Sequence, residues 1–173
     1  MYIFNLLLFN RENTVPDDNG KPDLGGYIPG LDINEKVVVA LVKASEVFKK
    51  DSDAIFKNYG LTFSQYNVLR VLNNSADGQN SVSNASKIML VSSPNMTGIA
   101  KRLEKNGFII RKNDSKDERV TLMEITPKGK RVLENIKTAH HENISRYLDG
   151  FESDAKKRLL EALKRVFSNS KSK

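Results

Sequence analysis

The chain has no cysteine. Disulfide bracing and thiol redox sensing are therefore excluded, and the composition is compatible with the reducing cytosol. Histidine is almost absent too. The two present, His140 and His141, are neighbours, and on a helix neighbours point about 100° apart rather than forming the i, i+4 pair of a metal site. A solvated or dimer-facing pair is the expectation, with no metal ligands, catalytic residues or cofactor. No glycine-rich phosphate loop and no Ser/His/Asp pattern of recognised spacing is present. No apolar run approaches membrane-spanning length, so no membrane association is expected.

What the chain does have is positive charge in one place. Its formal net charge is +7 over 173 residues. Between Val82 and Arg131 stand eleven Lys/Arg against five Asp/Glu, so this segment alone supplies six of the seven excess charges. A concentrated basic segment suits a polyanion, and nucleic acid is the foremost one.

Residues 1–9 are strongly apolar, but no Lys or Arg precedes them, Asn5 interrupts them, and Arg11-Glu12 follow. That argues against a secretory signal. A short packed element and a translation-start artefact are the readings left. Residues 10–32 hold Pro16, Pro22, Pro29 and four glycines, the composition of an irregular arm.

A long helix is predicted over 33–59. Val37, Leu41, Ala44, Phe48 and Ile55 or Phe56 form its stripe, widened by Val38, Val39, Val42 and Val47. A helix apolar on more than one side has two surfaces to bury, its own core and a second subunit. Gly60 ends it, and Thr62 with Gln65 forms a capping box for the next helix. Residues 73–80 read as a turn-rich loop. A short helix over 83–89 should turn Val82, Ala85, Ile88 and Met89 inward.

The organising stretch is 92–129. Ser92 or Ser93 can cap a helix with Pro94 in its first turn. Met96, Ile99 or Ala100, and Leu103 mark the buried side. Asn95, Gly98, Lys101, Arg102 and Lys105 mark the other, which is small and polar at its start and basic further on. Asn106-Gly107 ends it. A hairpin follows, with strands over 108–112 and 120–126 around the charged loop 113–119. Arg111, Lys112, Lys116 and Arg119 fringe this wing. A major-groove helix needs close approach, amide or guanidinium groups for base edges and cations for phosphates; an arginine at a hairpin tip suits a narrow minor groove. In the return strand Val120 and Leu122 alternate, while Met123 and Ile125 signal a slip or a two-sided strand. Thr126-Pro127 opens another helix, with Val132, Ile136, Ala139 and Asn143 or Ile144 inward. Asp149-Gly150 breaks it. Ser153 can cap a last helix bearing Leu159, Leu160, Leu163, Val166 and Phe167, and a frayed polar tail starts at Ser168.

The residues Leu61-Thr62, Gln65 and Leu69; Ser93-Pro94-Asn95-Met96-Thr97; Arg102-Leu103-Glu104, Gly107 and Ile109; Arg111, Asp114, Asp117 and Arg119; and Ile125-Thr126 with Gly129 resemble the MarR family of winged helix-turn-helix regulators over about 34–168. The resemblance implies a mainly α fold with a small β-hairpin: a dimerisation helix (33–60), a winged helix-turn-helix (61–131) and C-terminal dimerisation helices (132–173), preceded by the irregular arm (1–32), which has no counterpart in the family. It implies a homodimer on double-stranded DNA with a pseudo-palindromic operator, acting as a cytoplasmic repressor relieved by a small aromatic or anionic effector. Ser93, Asn95, Thr97, Gly98, Lys101, Arg102, Lys105, Arg111, Lys116, Asp117 and Arg119 form the implied DNA-binding set. Within it Arg119 reaches the minor groove and Asp117 orients basic side chains, with Arg102 a partner for it. Two positions depart from the pattern: Gly98, where some relatives carry a base-reading side chain, and Ala85-Ser86, which leave a smaller plug in the core. The rival readings are a winged helix serving only protein contacts and a metal-sensing regulator.

Overall fold

The structure is a computed structural model and describes residues 31–115 and 117–170. The expectations for residues 1–30 and for Lys116 lie outside the described residues. Among these the order is α1 (Ile33–Lys57), α2 (Phe63–Asn73), β1 (Gln79–Ser81), α3 (Val82–Met89), α4 (Ser93–Lys105), β2 (Ile109–Asn113), β3 (Thr121–Ile125), α5 (Pro127–Tyr147) and α6 (Ser153–Asn169). The chain divides into two compact units, one ending at Ala54 and one beginning at Ile55.

In the first unit α1 opens with a reciprocal box. The Glu35 amide donates to Asp32 Oδ1 (2.9 Å) and the Asp32 amide to Glu35 Oε2 (3.0 Å). Two of the amides that every helix start leaves orphaned are thereby satisfied. Ile33, Val37, Val38 and Leu41 remain exposed along this helix.

The second unit holds a continuous core. Phe56, Leu61, Leu69 and Leu72 meet Met96 and Leu103 of α4, Ile109 and Met123 of the sheet, and Ile136 of α5. Each such side chain contributes about 1.5–3 kcal/mol by leaving water. Gly60 carries the left-handed φ of +73° that closes the preceding helix. The Thr62–Gln65 capping box forms as expected, with Thr62 N donating to Gln65 Oε1 (2.8 Å) and Gln65 N to Thr62 Oγ1 (3.3 Å).

The hairpin is part of a larger sheet. The stretch read as a loop over 73–80 ends in a third strand, giving the order β1-β3-β2, antiparallel throughout. β1 pairs Gln79 with Glu124 and Ser81 with Leu122, and Ser81 then accepts the Asn84 amide to cap α3. In β3 the core face is Met123 and Ile125, while Leu122 is only half-buried. The α3 helix buries Ala85 and Ser86, but Ile88 is exposed, contrary to expectation. On α5 the buried line is Val132, Ile136, His140 and Asn143, so His140 replaces Ala139 on the inward face. The N-cap of α6 is Glu152 rather than Ser153, and the helix runs on past Ser168 to Asn169. No residue of α6 is buried, and Leu160, Leu163 and Phe167 are exposed along it.

Candidate nucleic-acid interface

The recognition helix is built by local chemistry. Ser92 takes the N-cap position without a side-chain capping bond, and Pro94 fits the first turn. Met96, Ile99, Ala100 and Leu103 are buried, which leaves Ser93, Asn95, Lys101, Arg102 and Lys105 exposed and Thr97 and Gly98 half-exposed. The Thr97 hydroxyl donates to its own helix, to Ser93 O at 3.0 Å. The amide and cationic groups are then the donors turned outward from this helix. Gly107, at φ +74°, ends α4 with the Gly107 amide on Glu104 O (2.8 Å) and the Phe108 amide on Leu103 O (3.0 Å). This paired closure satisfies two terminal carbonyls and turns the chain sharply into β2.

Two residues outside the expected set fix that turn. Lys128 donates to Asn106 O at 2.7 Å and lies 4.9 Å from the centre of the Phe108 ring. A cation against the last carbonyls of α4 complements the helix dipole. Glu104 holds Arg111: the Arg111 amide donates to Oε1 (3.2 Å), and its Nε (2.8 Å) and Nη2 donate to Oε2. The Arg111 hydrogen bonds keep the Glu104 carboxyl below its ordinary range. Arg111 thus joins α4 to the wing before any ligand arrives. Lys128, 22 positions from its acceptor, carries no sequence signal that separates it from an ordinary surface charge; Glu104 belongs to the family pattern, but nothing local marks Arg111 as its partner.

The wing tip is folded around Asp117. Its Oδ1 accepts from the Arg119 amide (3.1 Å) and Nε (3.0 Å), and its Oδ2 accepts from Nη2 (3.2 Å). These bonds lower the Asp117 carboxyl and raise the Arg119 guanidinium from their usual values. The Arg119 side chain is nonetheless 90% exposed. Asp117 therefore orients a basic side chain as expected, and that side chain is Arg119, not Arg102. Lys112 is held across the sheet by Glu124 at 2.6 Å.

A residue-level comparison gives this arrangement a family. The family model described as transcriptional regulator SarA/Rot matches residues 50–136, from the end of α1 into α5. The chain belongs to the SarA/Rot family of transcriptional regulators. Its relatives include HTH-type transcriptional regulators of Bacillus subtilis. YkoM is 27% identical over 143 residues, 79% of this chain and 92% of that one. YfiV is 30% identical over 114 residues, 64% of this chain and 70% of that one. Among solved structures, the MarR-family regulator AbsC of Streptomyces coelicolor superposes with TM-score 0.76 at 18% identity, covering 84% of this chain and all of that one. Sco3205, a MarR-family regulator of the same organism solved in complex with DNA, gives TM-score 0.76 at 21% identity, covering 82% and 94%. The fold is the MarR-type winged helix, and the protein is a transcriptional regulator, not an enzyme.

The same unit carries a cavity of about 360 Å³ between α2 and α5, lined by Tyr66, Arg70, Leu133, Lys137, His140 and Ile144 among others. His140 is buried against Phe56 (5.1 Å between ring centres) and edge-on to Tyr66 (5.0 Å). Of the pair expected to be solvated or dimer-facing, His140 is buried within its own subunit, whereas His141 is exposed. Burial first, and the Arg70 charge second, lower the His140 pKa from 6.5.

Proposed function

We propose that this SarA/Rot regulator binds double-stranded DNA sequence-specifically, as a homodimer on a pseudo-palindromic operator in the cytoplasm. In this reading it is a repressor released by a small aromatic or anionic effector. The observation that carries the reading is the Arg119 side chain, held by Asp117 yet almost fully exposed at the wing tip. An arginine that is exposed and oriented in advance suits a narrow minor groove. The exposed face of α4 would then meet the major groove, with Asn95, Lys101 and Arg102 toward bases and Ser93 and Lys105 toward phosphates. The exposed apolar residues of α1 and α6 support a second subunit. The α2–α5 cavity, with Tyr66 and Arg70 in its wall, suits an aromatic anion.

The direct test is footprinting and gel-shift on the DNA upstream of the protein's own gene. A protected near-palindrome, bound far more tightly than unrelated DNA of equal length, is expected. Weak, salt-labile binding that ignores sequence would overturn specific regulation. Charge reversal at Lys101, Arg102 and Arg119 that left affinity unchanged would favour a module for protein contacts.

A further inference from the structure

Gly98 sits in the interior of α4, where glycine weakens a helix relative to alanine. Among the described residues nothing in the subunit requires it. Gly129 shows what a required glycine looks like: a Cβ there would lie 2.4 Å from Phe108 O. Gly107 shows the other kind, with its left-handed φ of +74°. Gly98 has neither feature. A Cβ at Gly98 would meet only Arg102 Nη2, at 3.9 Å, an ordinary contact. Whatever needs the space therefore approaches from outside.

The surroundings define that visitor. Gly98 lies nearly opposite the buried Met96, Ile99 and Leu103 line of α4. Asn95 is three positions before it, and Lys101 and Arg102 three and four after it, so all three border it on the helix surface. All three are exposed. Among the described residues no carboxylate pairs with Arg102, whereas Arg111 and Arg119 are each held by one. A notch in the helix is thus ringed by an amide and two cations, with a free guanidinium fork lying along its edge.

We propose that Gly98 is the point of closest approach between α4 and a base pair, and that Arg102, at its border, reads that pair as guanine. The inference rests on the DNA-binding reading above and names the base it would recognise. A guanidinium matches guanine O6 and N7 in the major groove with two parallel hydrogen bonds. It can do so only if the helix backbone comes close, and a methyl group at Gly98 would hold the helix off.

The test uses the full chain, its mapped operator, and a panel in which each base pair of a half-site is changed singly, with affinity read by fluorescence anisotropy. Gly98→Ala should melt no lower than the wild type. It should lose about tenfold or more on the operator, and lose more there than on unrelated DNA. Arg102→Ala and Arg102→Lys should each lose discrimination at one G·C pair, and Gly98→Ala should lose it at that same pair. Operator binding by Gly98→Ala at wild-type strength would overturn the proposal. So would an Arg102→Ala protein that is weakened equally on every sequence, the mark of a phosphate contact. A wild type with no preference across the panel would instead bring down the specific-regulator reading itself, before either variant is measured.

Discussion

In the proposed complex Arg119 has little freedom left to lose when a duplex arrives, because Asp117 already holds its guanidinium at two nitrogens and its backbone amide as well. Preorganisation of this kind lowers the entropic cost of binding. Arg119→Ala should therefore weaken operator binding by about 1–3 kcal/mol. Asp117→Asn keeps the cation but loosens its hold, and should lose part of that. Both are surface changes, so stability should stay within about 0.5 kcal/mol of wild type. Titration of the operator together with thermal melts checks both halves; a large melting shift in either variant would mean the tip is structural instead. A second residue, Leu90, ends α3 with a left-handed φ of 53° and with 70% of its surface exposed. It suffers the strain of that conformation and buries little in return. Leu90→Gly should raise stability by about 0.5–1 kcal/mol, a rise in melting temperature of about 1–4 °C. A fall in calorimetry would show that the leucine packs on something that matters.

The elements differ in how plainly the sequence announces them. The Thr62–Gln65 box, the left-handed Gly60 and Gly107, and the buried line of α4 depend on contacts three to five residues long, and each is readable from its own segment. β1 is not. Gln79-Asn80-Ser81 has no alternation and no apolar residue; it is a strand because β3, 45 positions further on, lends it hydrogen-bond partners (Gln79↔Glu124). The inward face of β3 and the turning of His140 toward the core were likewise settled by what packs there. At the candidate interface, the exposed cations of α4 and the Asp117–Arg119 pair could be read locally, whereas the Glu104 hold on Arg111 depends on where the sheet places β2.

That rotation of α5 gives the α2–α5 contact a dependence on pH. Burial keeps the folded-state pKa of His140 below the 6.5 of the free side chain. As pH falls through 6.5 the unfolded chain takes up a proton that the folded chain refuses, so stability drops until the folded pKa is reached, and it is complete above 6.5. Between pH 7.5 and 5.5 the wild type should lose more melting temperature than His140→Gln. Equal losses would remove His140 as the cause.

For the whole molecule, the exposed apolar residues are grouped, not scattered. Ile33, Val37, Val38 and Leu41 mark α1, and Leu159, Leu160, Leu163, Val166 and Phe167 mark α6. A double change, Leu160→Asp with Leu163→Asp, leaves no hole in the core because neither residue is buried. Where these faces form the proposed homodimer, it should yield a folded monomer by sedimentation and circular dichroism. Operator affinity should fall by about 10²–10⁴, the benefit of tethering two reading heads, while a single half-site is still bound weakly. A variant that stays dimeric would move the interface elsewhere.

The strand that the sequence hid also sets an order of events. β1 and β3 bracket α3, α4 and β2, so pairing Ser81 with Leu122 closes a long loop around the whole reading head. Closing such a loop costs chain entropy that the pairing repays only once its far end exists. On the ribosome, a nascent chain that has not yet released Ile125 cannot pair β1 with β3 and so cannot seat its wing. Synthesis itself therefore withholds a finished reading head until most of the winged domain has emerged.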